Sequence, residues 1–192
     1  MPVPARAEPQ RFCATRLQRV FDECFMSSHA TRLLGGAHEP IYQPAQGSQR
    51  LHLLYFREDY FASALHEVAH WCIAGEQRRR QVDFGYWYAP EGRGTAAQRA
   101  FEAVECKPQA LEWFFSRACG YRFRISVDNL DTVSGKLPDT LSFRQQLVSQ
   151  ARCWQRRGLP ARAALFHRAL CHEFGSDPDS AQLPFVLTDL EP

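Results

Sequence analysis

No stretch of this chain approaches the roughly 20 consecutive apolar residues that a membrane-crossing helix needs, because charges interrupt the apolar runs every few residues. An integral membrane protein is therefore not expected. Residues 1–10 contain Pro2, Pro4, Pro9, Arg6 and Glu8 but no apolar segment, so a flexible tail is expected there rather than a secretory signal. The seven cysteines are odd in number and lack any C-x-x-C pair, which argues against a disulfide framework and a zinc ribbon and fits a reducing cytoplasm. Charge of one sign is not in excess either. With 23 basic against 21 acidic residues the formal charge is +2, too balanced for a surface devoted to nucleic acid. Internal repeats, low-complexity segments and long linkers are missing as well.

What is present is an ample apolar complement. Hydrophobic residues make up 45% of the 192 residues and aromatics 12%, enough to build one core without staples. One domain over residues 11–175 is expected, followed by a C-terminal tail at 176–192.

Arg11 to Phe25 places Phe12, Leu17, Val20, Phe21, Cys24 and Phe25 at helical spacing. Gly35, Gly36, Pro40 and Pro44 punctuate the following stretch, leaving Ile41-Tyr42 as a short extended piece and Leu51 to Phe56 as a strand. A helix is predicted from Tyr60 to Ala74, closed by Gly75. Val82 to Tyr88 is dense in aromatics and reads as a strand or extended wall. Thr95 to Cys119 reads as helical, with a kink or a junction of two helices predicted at Pro108. Tyr121 to Val127 is a candidate strand. Two helices are predicted at Asp139 to Arg157 and Ala161 to Phe174, parted by Gly158-Leu159-Pro160. The fold class is α+β: a single compact helix-rich domain with a small sheet.

The chemistry concentrates in His66-Glu67-Val68-Ala69-His70. Residues four apart on a helix differ by about 40° in azimuth and about 6 Å in height, so both imidazoles can converge on one ion. Glu67 lies about 100° further round, poorly placed as a ligand of that ion and suited to a base or supporting role. From composition alone, roughly 0.02 chance matches to this pattern are expected in such a chain, so coincidence is disfavoured against a pair of ordinary core histidines. A third ligand is needed. Glu105, 35 residues after His70 and close to Pro108, is favoured, with Glu102 one turn earlier as the alternative. The metal site would then lie between the motif helix and a second helix.

Two imidazoles and one carboxylate serve two chemistries: zinc with Glu67 as general base for peptide hydrolysis, or ferrous iron with open positions for dioxygen and substrate. Spacing alone does not separate them. A metal-binding module without catalysis would need a fourth protein ligand, and none is evident.

The run from His66 through Trp71-Cys72-Ile73-Ala74-Gly75, the segment Val82-Asp83-Phe84-Gly85-Tyr86-Trp87-Tyr88, and Val104-Glu105-Cys106-Lys107-Pro108-Gln109-Ala110-Leu111 together resemble the bacterial elongation factor P hydroxylase family. Glu39-Pro40-Ile41-Tyr42 and Asp128-Asn129-Leu130 extend the similarity. The resemblance spans roughly Phe12 to the second C-terminal helix; the Pro-rich start and acidic end look private to this chain. It implies a monooxygenase that hydroxylates the lysine of elongation factor P already bearing a β-lysyl group. It also implies a metal site at His66, His70 and Glu105. Oxygen chemistry and ligand type point to Fe(II), with molecular oxygen as co-substrate. A 2-oxoglutarate site is not expected, since the separate H-x-D motif it calls for is missing.

A β-lysylated lysine is long and cationic, so carboxylates and aromatic walls should line its entrance. Asp83, Tyr86, Tyr88 and Asp128 are the favoured substrate contacts, with Trp87 and Glu112 as further candidates. Arg78-Arg79-Arg80 could dock an acidic protein or simply answer the preceding helix dipole.

Overall fold

The computed structural model describes residues 11–83, 95–126 and 140–190. Tyr86, Trp87, Tyr88 and Asp128, with the N-terminal tail, lie outside them. Among the described residues, five α-helices and a three-stranded sheet form one α+β domain: α1 (Ala14–His29), β1 (Thr31–Ala37), β2 (Ile41–Gln43), β3 (His52–Arg57), α2 (Phe61–Ile73), α3 (Thr95–Cys119), α4 (Leu141–Arg157) and α5 (Ala161–Phe174). Among the described residues, no helix is long and apolar enough to cross a membrane.

The sheet order is β1-β3-β2, with β1 parallel and β2 antiparallel to β3. Strand β1 is a departure from the sequence reading, which took Gly35-Gly36 as punctuation. The glycines lie inside the strand, where its register against β3 shifts between Leu34 and Ala37. A Cβ at Gly35 would meet the Glu58 carbonyl oxygen at 2.7 Å and Phe56 Cζ at 2.9 Å. Only glycine fits so close to the neighbouring strand.

Helix α3 departs from the sequence reading as well. It runs as one element through Pro108, so no junction of two helices forms there. Segment 121–126 is not a strand. Its backbone at Ser126 instead pairs with a side chain: Ser126 N–H donates to Gln109 Oε1 at 3.0 Å, and Gln109 Nε2 donates to the Ser126 carbonyl at 2.7 Å. A buried amide thus satisfies backbone groups that a ladder would otherwise take.

The larger apolar cluster joins α1, α2, α5 and the sheet through Phe21, Phe25, Trp71 and Phe166, with ring centroids 4.7 Å apart for Phe25 and Trp71. The second cluster sets α3 against α4 through Trp113, Phe114, Phe143 and Leu147. Residues after α5 lie against this cluster, burying Phe185 and Leu190. Arg117 holds that segment by donating to the carbonyls of Leu183 and Pro184 and to Asp189.

Candidate metal centre

Helix α2 forms because Phe61, Ala64, Leu65, Val68, Ala69 and Cys72 recur at helical spacing and all become buried. That burial fixes the helix rotation, which turns His66 and His70 toward α3. The end of α2 differs from the sequence reading. Ala74 is in extended backbone rather than leading to a left-handed glycine at Gly75. Arg162 of α5 reaches across instead, its Nη2 donating to the carbonyls of Trp71, Cys72 and Ala74, at 2.6 Å for the last. A fixed cation over the final carbonyls also answers the helix dipole. Nothing local in the sequence signals this partner, 90 residues from Cys72.

Across from α2, helix α3 carries a buried polar stripe: Glu105, Gln109, Glu112 and Ser116, at steps of four, three and four along one face. Glu105 meets both histidines. Its Oε2 is 3.4 Å from His66 Nε2, and its Oε1 is 3.3 Å from His70 Nε2. The two Nε2 atoms are themselves 3.0 Å apart. Donors about 2.1 Å from one first-row ion, and roughly 90–110° apart about it, would stand about 3.0–3.4 Å from each other. The three side chains therefore fit a shared ion, and they are the group that the described residues bring within such reach. Glu102 is not among them; its carboxylate accepts from Gln98 Nε2 at 3.2 Å.

His66 Nδ1 lies 2.9 Å from Glu112 Oε2. With Nδ1–H donated there, His66 turns its Nε2 toward the other two donors, the nitrogen that a metal ion would take in place of a proton. Glu112 is a sequence candidate for lining the substrate entrance. It is instead 7% exposed and occupied with His66. The seven-residue spacing from Glu105, two turns on the same helix face, is the signal that could have found it.

Electrostatics favour a cation here. Burial disfavours a charged His66 ring, yet the Glu112 carboxylate, helped by Glu105 and Glu67, outweighs that and raises its pKa to about 10. Burial likewise works against the Glu105 carboxylate, but His70 and His66 hold its pKa below the usual value. Glu67 is pushed up by burial, with His66 and His70 opposing. Burial pushes Glu112 up as well, with His66 opposing, so Glu105 is the carboxylate that this packing holds in its charged form beside the two imidazoles.

Glu67 stands beside His70 in a small pocket of about 30 Å³ that also exposes Tyr42, Arg78, Arg79 and Asp83. Asp83 is tied by a two-way backbone bridge to Tyr42, at 2.7 and 3.0 Å, and its carboxylate is ion-paired with Arg78. The pocket thus adjoins the three-donor cluster through His70. Cys72 and Cys106 have pKa values raised by burial, which keeps both as thiols at neutral pH.

The sequence profile of elongation factor P hydroxylases matches residues 20–183 of this chain. The chain is also 43% identical over 169 residues to the elongation factor P lysine hydroxylase of Haemophilus influenzae (strain ATCC 51907 / DSM 11121 / KW20 / Rd), covering 88% of this chain and 93% of that protein.

Proposed function

The chain belongs to the elongation factor P hydroxylase family, and from that premise we propose that it is a metal-dependent monooxygenase hydroxylating the β-lysylated lysine of elongation factor P. The observation that carries this reading is the convergence of His66, His70 and Glu105 on one point, with Glu112 holding the His66 ring from behind. Fe(II) is the metal we assign, because oxygen insertion calls for a redox-active ion and two imidazoles with one carboxylate leave it open coordination positions. Bound there, it would supply the redox chemistry with molecular oxygen that inserting oxygen into a C–H bond requires.

The chain's own groups do the rest. Glu112 fixes the tautomer and orientation of His66. Glu105 sets one oxygen against each imidazole, and Gln109 Nε2 approaches its Oε2 at 3.5 Å from the next turn. Glu67, raised toward its protonated form by burial, can hold or release a proton beside His70 at the pocket wall. Asp83 opens onto the same pocket, and we assign it a substrate-binding role shared with Tyr86, Tyr88 and Asp128. Its charge is already divided with Arg78, so it would orient a cationic substrate more than attract one. The near-balance of charge gives no reason to invoke nucleic acid, and a translation factor as substrate assigns the reaction to the cytoplasm. Neither comparison points to a zinc peptidase with Glu67 as base.

The test is mass spectrometry of β-lysylated elongation factor P after incubation with the iron-loaded protein, a reductant and air. The mass of one added oxygen atom on the modified lysine, lost with His66→Ala, is expected. Peptide-bond cleavage in the same assay, or an unchanged substrate with iron demonstrably bound, would overturn the proposal.

A further inference from the structure

Positive charge gathers beyond Trp71 with little acid to balance it. Within Arg78–Arg80, Arg78 pairs with Asp83 and Arg80 with Glu76. Arg79 has no carboxylate partner among the described residues, and its Nε is buried without a hydrogen-bond partner. Its guanidinium carbon lies 6.0 Å from the centroid of the Trp71 ring, and that of Arg162 lies 4.9 Å from the same ring. Arg162 directs Nη2 to the carbonyls ending α2, while its Nε is also buried and unpartnered. Two guanidinium groups therefore share one indole.

A cavity of about 240 Å³ opens beside them, lined by Arg79 and Arg80 with the imidazoles of His29 and His52. Tyr42 and Thr31 complete its wall together with Glu76, the exposed acid already paired with Arg80. The backbone N–H of Ala45 donates to His52 Nδ1 at 3.0 Å, which leaves the neutral ring its proton on Nε2, as a donor. Burial, and then the arginines, hold both imidazoles below their ordinary pKa. Burial and Arg79 do the same to the Arg162 guanidinium. A fold that keeps this many cationic and donor groups together bears a repulsion that an anion would relieve.

We propose that this cavity is a binding site for a small oxyanion, a phosphate or a carboxylate group, held by the Arg79 guanidinium and the Nε2–H of His52, with His29, whose Nδ1 is engaged with Ser28 Oγ at 2.8 Å, standing in the wall. Planar guanidinium N–H pairs match the oxygen spacing of either group. Tyr42 and Arg79 also line the pocket containing Glu67 and His70, so the bound anion is a neighbour of the metal centre rather than a part of it.

The experiment is a titration of the metal-loaded protein with inorganic phosphate and, separately, with acetate, at low ionic strength. Calorimetry reads affinity, and the ring resonances of nitrogen-labelled histidines read position. Saturable binding of one equivalent is expected, with the tighter of the two anions naming the source. The His29 and His52 rings should shift while the exposed His38 and His172 rings stay still. Arg79→Gln should weaken binding by about tenfold or more, as loss of a charge-assisted pair requires. Failure to saturate at millimolar anion, unchanged affinity in a folded Arg79→Gln protein, or shifts confined to His66 and His70 would each overturn the proposal. Should Arg79→Gln not fold, the ring shifts of the unaltered protein decide by themselves.

Discussion

The Nδ1 atom of His66 and the carboxylate of Glu112 stand 2.9 Å apart, partly buried where α2 meets α3. This contact fixes which nitrogen of His66 faces the other donors, so its removal should be felt as metal affinity before it is felt as fold. Glu112→Ala leaves an imidazole N–H without a partner and frees the ring to turn. Metal affinity is expected to fall about 10- to 100-fold, measured by competition with a chromophoric chelator, and Glu112→Gln should recover part of the loss because its amide oxygen still accepts. An affinity unchanged in Glu112→Ala would show that His66 is oriented by something else.

Glu105 and Glu102 separate cleanly. Glu105 faces both imidazoles, whereas Glu102 is engaged with Gln98 one turn away. Glu105→Gln should therefore strip most of the bound metal, and Glu102→Gln should leave the stoichiometry as it was. Metal analysis of the two purified variants checks this, and equal losses in both would contradict the assignment of Glu105.

The contrast between these glutamates shows what the sequence makes legible. His66 and His70 are readable because both lie on one helix, where spacing dictates direction. Glu105 is reached by its place on a second helix, and Glu112 follows from it by two helical turns. Arg162 has no such signal, since α5 meets the end of α2 only through tertiary packing. Strand β1 was hidden because Gly35 is there for a close approach to Phe56 and Glu58, which resembles a turn signal in one dimension. Segment 121–126 has strand-like composition, yet at Ser126 a side-chain amide takes the hydrogen bonds a neighbouring strand would have made.

Acid should loosen the contact between α1 and the end of α5. Glu173 accepts from Arg16 at 2.8 Å and is also paired with Arg19. Burial works against its charged form, but the two arginines prevail and hold its pKa below the usual carboxylate value. A carboxylate whose folded-state pKa is depressed contributes stability that is complete above its unfolded pKa and is lost as pH falls through the folded one. The arginines are partly solvated, so the contribution is about 1 kcal/mol. Urea midpoints for the parent and Glu173→Gln should differ at neutral pH and converge below the carboxylate range; a difference that persists in acid would refute an ionic origin.

Arg162 joins stability to function, because the helix it closes is the one carrying both histidines. Its Nη2 satisfies three carbonyls at the end of α2, and its guanidinium packs on Trp71. Arg162→Ala removes a charged donor from partly buried acceptors and should cost roughly 1–3 kcal/mol. The last turn of α2 begins at His70, so fraying there should weaken metal binding as well. Arg162→Lys keeps the charge but lacks the planar fork, and should restore stability only in part. Hydrogen exchange at the Ala74 amide, which donates to the His70 carbonyl at 3.0 Å, reads the fraying directly. Faster exchange in Arg162→Ala, with protection of α4 unchanged at a temperature where the chain stays folded, is the expected pattern. Uniform loss of protection would mean that Arg162 supports the whole core rather than this helix end.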